Sequence, residues 1–353
     1  MKGKRLWPLA LFVSALFAPI ENSAKDNHKL HAVDEGKLPS LARAPTWLNS
    51  PPLTAADLRG KVVLVDFWTY TCINWRRTLP YLRVWAEKYR DQGLVIVGVH
   101  TPEFGFEREV ENVRRAARSQ HVDYPIAIDS DYAIWESFGN QYWPALYFID
   151  AHGRIRHQQF GEGDYYKLEA VIRKLLAEAG HSSASSQLAD VQGVGVEALA
   201  DWQHLKSPET YLGFGRSTSF VSPGGSASGR SHLYAAPARL KLNEWALTGD
   251  WTMRQESTVL NQATGRLTCR FHARDVHLVM APAAHDTEIR FRVLVDGRPP
   301  ADAHGVDIDA AGNGKLDEPR MYQLIRQQEK IEDRQFEIEF LDAGAELYVL
   351  TFG

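Results

Sequence analysis

Cysteine is scarce, with two in 353 residues, which excludes a disulfide-stapled scaffold and leaves each thiol to be explained alone. Charge of one sign is nowhere concentrated. Forty Lys+Arg against 44 Asp+Glu give a formal net charge of -4, and no run of five or six like charges marks a nucleic-acid or anionic-lipid surface. Nucleic acid is therefore not an expected partner. Long apolar runs are missing too: the stretch from Leu6 to Ile20 falls short of the roughly 20 residues that cross a bilayer as a helix. The histidines are scattered and no Cys/His group has ligand spacing, so neither a metal site nor a cofactor is expected.

What is present is a globular composition, 44% apolar and 24% charged, in a chain long enough for about two domains of roughly 150 residues. Lys2, Lys4 and Arg5 precede the apolar run and Asn22-Ser23-Ala24 follows it, so residues 1–24 read as an export signal, with an uncleaved membrane anchor as the alternative. The expected location is the periplasm or cell envelope, an oxidising compartment.

From Lys61 onward, short β-rich runs alternate with amphipathic stretches, the pattern of a central sheet flanked by helices. Strands are expected at 61–67, 94–99, 125–128, 145–149 and 154–160. A helix is expected at 165–179, where Leu168, Val171, Ile172, Leu175 and Leu176 share one face, Asp164 serves as N-cap and Gly180 as stop. This α/β domain is taken as 38–180, and a polar linker as 181–204. Over 205–353, apolar and polar residues alternate at 265–272, 276–280, 288–295, 336–340 and 346–352, which predicts an all-β, jelly-roll-like sandwich.

The chemistry centres on Trp68-Thr-Tyr-Thr-Cys72-Ile-Asn-Trp75-Arg-Arg-Thr-Leu-Pro80, directly after the first strand. Cys72 falls at a helix N-terminus, where unpaired N–H groups favour a thiolate. With Arg76 and Arg77 nearby, a lowered thiol pKa is expected. Strand, aromatic pair, cysteine and a helix with a proline eight residues on resemble the thioredoxin family, and Asp66 matches that family's buried acid. Val99-His-Thr-Pro-Glu-Phe104, Asn140-Gln-Tyr-Trp-Pro-Ala145, Phe160-Gly-Glu-Gly-Asp-Tyr165 and Ala303-His-Gly-Val-Asp-Ile-Asp309 narrow the resemblance to DipZ-type proteins. Those join a membrane electron-transfer domain to a thioredoxin-like domain and a C-terminal β-sandwich similar to carbohydrate-binding modules. The resemblance implies a thioredoxin-like α/β fold followed by that sandwich, a cis Pro144 facing Cys72, a thiol- or disulfide-containing protein or small thiol as substrate, and a separate membrane electron donor.

One departure matters most. The family motif is Cys-x-x-Cys, whereas here Cys72-Ile73-Asn74-Trp75 puts tryptophan where a second thiol would attack the mixed disulfide. The ordinary two-thiol cycle is therefore not expected, Asp66 is expected to lack its family role, and Trp75 is expected to rest against the loop before Pro144. Three readings follow. The first is a single-thiol redox protein using Cys72 and Asp66, with Trp68, Thr69, Trp75, Trp143 and Pro144 binding substrate. The second is a binding or scaffold protein whose Trp68, Tyr70, Trp75 and Trp143 form an apolar ligand surface. The third is a one-cysteine peroxidase, from Thr69 three residues before Cys72. In the second domain, Cys269 alternates with Leu267 and Phe271 and reads as core. Trp245, Trp251, Tyr211 and Tyr322 are candidates to stack on a glycan, with core burial as the competing reading. Acids at 307, 309 and 318 resemble a calcium loop that lacks its fifth-position ligand.

Overall fold

The structure, a computed structural model, describes residues 37–181, 188–328 and 330–353. The expected export signal or anchor at 1–24 and part of the expected linker lie outside the described residues. Among those described, no helix is long and apolar enough to cross a membrane.

The first half runs β1 (Thr46–Leu48), β2 (Val62–Trp68), α1 (Ile73–Tyr89), β3 (Leu94–His100), α2 (Val110–Ser119), β4 (Ile126–Ile128), α3 (Ala133–Ser137), β5 (Ala145–Ile149), β6 (Ile155–Phe160) and α4 (Tyr165–Glu178). Its sheet has the order β1-β4-β3-β2-β5-β6. β2, β3 and β4 are parallel, and β1, β5 and β6 run antiparallel to their neighbours. Every residue of β2 is buried because both faces of this central strand are covered. Val62 and Leu64 join Leu79, Leu82 and Trp85 of α1 and Ile172 and Leu176 of α4. Val63, Val65 and Phe67 point the other way, to Ile134 of α3 and to Leu41 and Leu58, as the two-residue period of a strand requires.

Two local expectations are corrected. Asp164 does not cap α4: its backbone is left-handed at φ 53° and its side chain makes no capping bond, pairing instead with Lys167 at 2.7 Å. The stretch after α4, read as a polar linker, is tied down where it is described. The Ala189 N–H donates to the buried Glu169 carboxylate at 2.9 Å, and Glu197 pairs with Arg76 at 3.3 Å and with Arg83.

The second half contains β7 (Thr210–Tyr211), β8 (Ser231–Tyr234), β9 (Trp245–Met253), β10 (Thr258–Leu260), β11 (Gly265–Phe271), β12 (Asp275–Pro282), β13 (Ile289–Val295), β14 (Asn313–Leu316), β15 (Arg320–Arg326), β16 (Arg334–Phe340) and β17 (Ala345–Phe352). Its pairing path is β14-β13-β16-β11-β9-β10-β17-β12-β15, with β7 on β17 and β8 on β9, all antiparallel. β9 serves two layers: Trp245 to Thr248 pair with β11, and Trp251 to Met253 pair with β10. Gly249 stands between them at φ 104°, where a Cβ would come within 3.0 Å of the Gly265 Cα, so only glycine makes this turn. The two layers enclose one core, in which Leu247, Leu267 and Ile338 meet Leu278, Leu324 and Leu347.

That core absorbs most of the aromatic residues considered for glycan stacking. Trp245, Trp251 and Tyr322 are completely buried and present no ring face to a ligand, so the glycan reading loses its supporting residues. Tyr211 is half-buried and engaged by carboxylates. Cys269 lies in the core, and both cysteines are free. Asp307 of the calcium-like segment is taken by Arg320 at 2.7 Å and by the Gln323 N–H at 2.7 Å.

Candidate functional site

The C-terminal ends of β2 and β3, the start of α1 and the loop before β5 meet at Cys72. Cys72 is the extended residue that precedes α1. Its N–H donates to the Thr69 carbonyl at 3.2 Å and its own carbonyl accepts from Arg76 N–H at 3.0 Å. Across from it the Trp143-Pro144 peptide is cis, and the Cys72 thiol lies 3.9 Å from the Trp143 carbonyl. The loop before β5 therefore offers the thiol a backbone acceptor. The Trp143 ring turns away, packed at a 36° tilt against Trp135 at 4.3 Å, with its N–H donating to the Thr101 carbonyl at 3.0 Å.

Beneath Cys72 the position of the absent second thiol is filled. Trp75 is fully buried, stacks on Trp68 at 4.2 Å and 23°, and donates its indole N–H to Asp66 Oδ2 at 2.9 Å. Tyr124 donates to the same oxygen at 3.2 Å. Trp75 thus lies over β2 rather than against the loop before Pro144, and Asp66 anchors this indole instead of standing idle. Burial raises the Asp66 pKa from 3.8 to about 7, although both hydrogen bonds pull it down. Asp66 Oδ1 has no protein partner.

The thiol departs from expectation. Helix-terminus amides and two arginines were expected to lower its pKa, but burial dominates and pushes it well above the ordinary value. The N–H groups of Trp75 and Asn74 pull it down by less, Glu209 and Glu103 push it up again, and the side chain makes no capping hydrogen bond. Arg76 and Arg77 face elsewhere, to Glu197 and Glu162. Cys72 keeps some exposed surface, yet protein crowds it closely enough for burial to decide.

The proposed ligand surface of tryptophans is likewise not a surface. Trp68, Thr69 and Trp75 are 0% exposed and Tyr70 is 3%, so they form the floor under the thiol; Pro144 is buried too. Sequence reasoning missed a further ring of residues. His100 is fully buried between Trp68, at 4.9 Å edge-on, and Tyr70, stacked at 5.8 Å. Burial drops its pKa to about 3, so the imidazole is neutral. Glu107, also buried, accepts from Thr71 Oγ1 at 2.6 Å and from the N–H groups of Glu103 and Phe104 at 2.6 and 2.9 Å. It fixes the loop after β3 against the residue before Cys72, and burial raises its pKa to about 7. His100 and Glu103 sit in the Val99-His-Thr-Pro-Glu-Phe104 segment that carries part of the family resemblance, which was the available signal for them.

Comparison with known proteins follows the two halves. Residues 35–172 match the Redoxin family, and residues 207–353 match the "Thioredoxin like C-terminal domain" family. DipZ proteins of Mycobacterium bovis and Mycobacterium tuberculosis are 36% identical over 290 residues, 81% of this chain and 40% of theirs. The thiol-disulfide oxidoreductase YkuV of Bacillus subtilis is 31% identical over 141 residues, 40% of this chain and 95% of its own. The chain belongs to the thioredoxin-like thiol-disulfide oxidoreductase family. It spans 40% of the length of the DipZ proteins it matches. A solved solution structure of a thioredoxin-like protein in the oxidized form is 32% identical, covering 41% of this chain and 97% of its own, with a TM-score of 0.38. At the last position of the Cys-x-x-Cys pattern this chain carries Trp75.

Proposed function

We propose that this DipZ-type chain is an exported, periplasmic thiol redox protein that works with one sulfur. Cys72 forms a mixed disulfide with a thiol- or disulfide-bearing partner, and a second, external thiol resolves it, ultimately drawing electrons from a separate membrane donor. The observation that carries this reading is the pairing of Cys72, still placed at the head of α1 beside the Trp143–Pro144 peptide, with a second motif position locked by the Trp75–Asp66 hydrogen bond. No internal thiol is available for resolution, because Cys269 belongs to the sandwich core.

The test is transfer of a thiol label. Purified protein is incubated with a mixed disulfide and then with an external thiol, and the Cys72→Ser variant should lose transfer while keeping its fold. Equal transfer in that variant would remove the redox reading. A non-catalytic binding role is favoured by one specific feature, the raised pKa of the Cys72 thiol. Alkylation rate against pH separates the two: a thiol that stays unreactive to about pH 9 in every partner-bound state supports binding without turnover.

A further inference from the structure

The surface around Cys72 is covered by the sandwich. Ile73, the next residue, is 3% exposed and sits in a small apolar cluster with Val279 and Ala281 of β12, Met321 of β15, and Tyr348 and Val349 of β17. Phe104 and Phe106, on the loop after β3, bring their rings to 5.0 and 4.8 Å from Tyr348. Beside this apolar contact lies a polar one. Glu103, which acts electrostatically on the Cys72 thiol, is ion-paired with Arg216 of the sandwich at 2.9 Å and accepts from the Tyr211 hydroxyl at 2.8 Å. The Arg216 guanidinium stacks 3.6 Å over the Tyr211 ring. The sandwich thus offers the rim of the thiol an aliphatic patch with a cation next to it.

The contact is also incompletely satisfied. Arg77, 1% exposed, reaches the Phe352 carbonyl at 3.5 Å and Glu162 at 3.0 Å, but its Nε has no protein partner. The same holds for Nδ1 of His277, Oε1 of Gln323 and Oγ1 of Thr351 around it. Buried donors and acceptors left unpaired weigh against the closed arrangement and are relieved when the seam opens to water.

We propose that the rim of Cys72 is the docking surface for the redox partner, a polypeptide segment with an apolar residue and a basic residue beside its cysteine, and that the sandwich occupies this surface until such a segment displaces it. The inference rests on the single-thiol reading above. In the step itself, the Cys72 sulfur attacks the partner's cysteine sulfur in a disulfide. The new bond joins the two cysteines, the old S–S bond breaks, and the departing thiolate carries off the electron pair while the Cys72 proton goes to solvent. Electrons balance with no further oxidant. Charge complementarity selects the segment: Glu103 already holds one guanidinium, and a carboxylate brought to the same rim meets Glu103 and Glu209.

Two synthetic peptides test this with the full chain. Each carries one cysteine as a mixed disulfide with thionitrobenzoate and a leucine beside it; they differ only in arginine or glutamate at the following position. Mercaptoethanol in the same mixed disulfide serves as a small neutral probe, and release of thionitrobenzoate gives the rate. The arginine peptide should react roughly tenfold faster than the glutamate peptide, as one well-placed charge pair implies. Glu103→Gln should bring that ratio toward one, and Arg216→Ala should speed both peptides by vacating the rim. If the neutral probe reacts but the two peptides react equally in the wild-type chain, the docking proposal is overturned while the single-thiol reading stands. If none of the three reacts, the single-thiol reading fails and the proposal with it.

Discussion

Replacing Asp66 by asparagine should stabilise the protein, and only toward neutral and alkaline pH. Burial lifts this carboxyl from 3.8 to about 7. At about 1.4 kcal/mol per pKa unit, keeping it ionised inside the fold costs up to about 4 kcal/mol near pH 8. The sign follows from proton counts. Between about pH 4 and 7 the folded chain holds a proton that the unfolded chain has released, so stability is full below that window and falls as pH rises through it. Asparagine does not titrate, and its carbonyl can accept from Trp75 and Tyr124 where Oδ2 now does. Its NH2 would stand where Oδ1 has no protein partner, an unpaired buried donor worth about 1–3 kcal/mol. The net expectation is a variant more stable than wild type by about 1–3 kcal/mol near pH 8 and less stable by about 1–3 kcal/mol near pH 4, where only the unpaired amide counts. Urea unfolding of both proteins across that range measures the difference, in which other groups that titrate in both, Glu107 among them, cancel. A difference that does not change with pH would refute the argument, since it would mean that Asp66 is not protonated by burial.

Three other perturbations have defined outcomes. Trp75→Cys should let the introduced thiol form a disulfide with Cys72 on mild oxidation, read as loss of both thiols in a titration, and should confer disulfide reductase activity. It also removes a fully buried ring at about 3–5 kcal/mol of stability, and a variant that folds but never oxidises would show that the site has drifted beyond its second thiol. Arg77→Met should cost about 3–5 kcal/mol by stranding Glu162, whereas Arg77→Met with Glu162→Leu should recover most of it, because a buried pair removed whole is far less costly than one removed by half; thermal melts of the two variants decide. His100→Phe should flatten the acid limb of stability. His100 ionises only near pH 3 in the fold, so wild-type stability is lost as pH falls below about 6.5, by up to about 4–5 kcal/mol, and equal acid limbs in the two proteins would contradict its burial.

Local pattern carries much of this fold into view. The continuous apolar run of β2 and the apolar face of α4 are visible within short windows, and their ends shift by a residue or two. β9 escapes such a reading because Thr248-Gly249-Asp250 interrupts the alternation where the strand passes from one layer to the other. Helix α2 escapes it because Val113, Ala116 and Ala117 are its only buried residues, a weak stripe among arginines. At the site, the place of Cys72 is set by neighbours in sequence and is legible. Its protonation is not, because Glu209, Met321 and Tyr348 reach that corner only through the tertiary fold. The role of Asp66 is hidden for a simpler reason: a missing thiol suggests a loss, and only the folded arrangement shows an indole taking its hydrogen bond.

The passage of β9 through Gly249 has a consequence for how the sandwich comes apart. One uninterrupted strand is hydrogen-bonded into both layers, with no loop between to absorb a relative displacement. Neither layer can fray away while the other keeps its ladder. In native-state hydrogen exchange, the amides of β11 and β10 should therefore share a single opening free energy, so that the second half of the chain behaves as one cooperative unit.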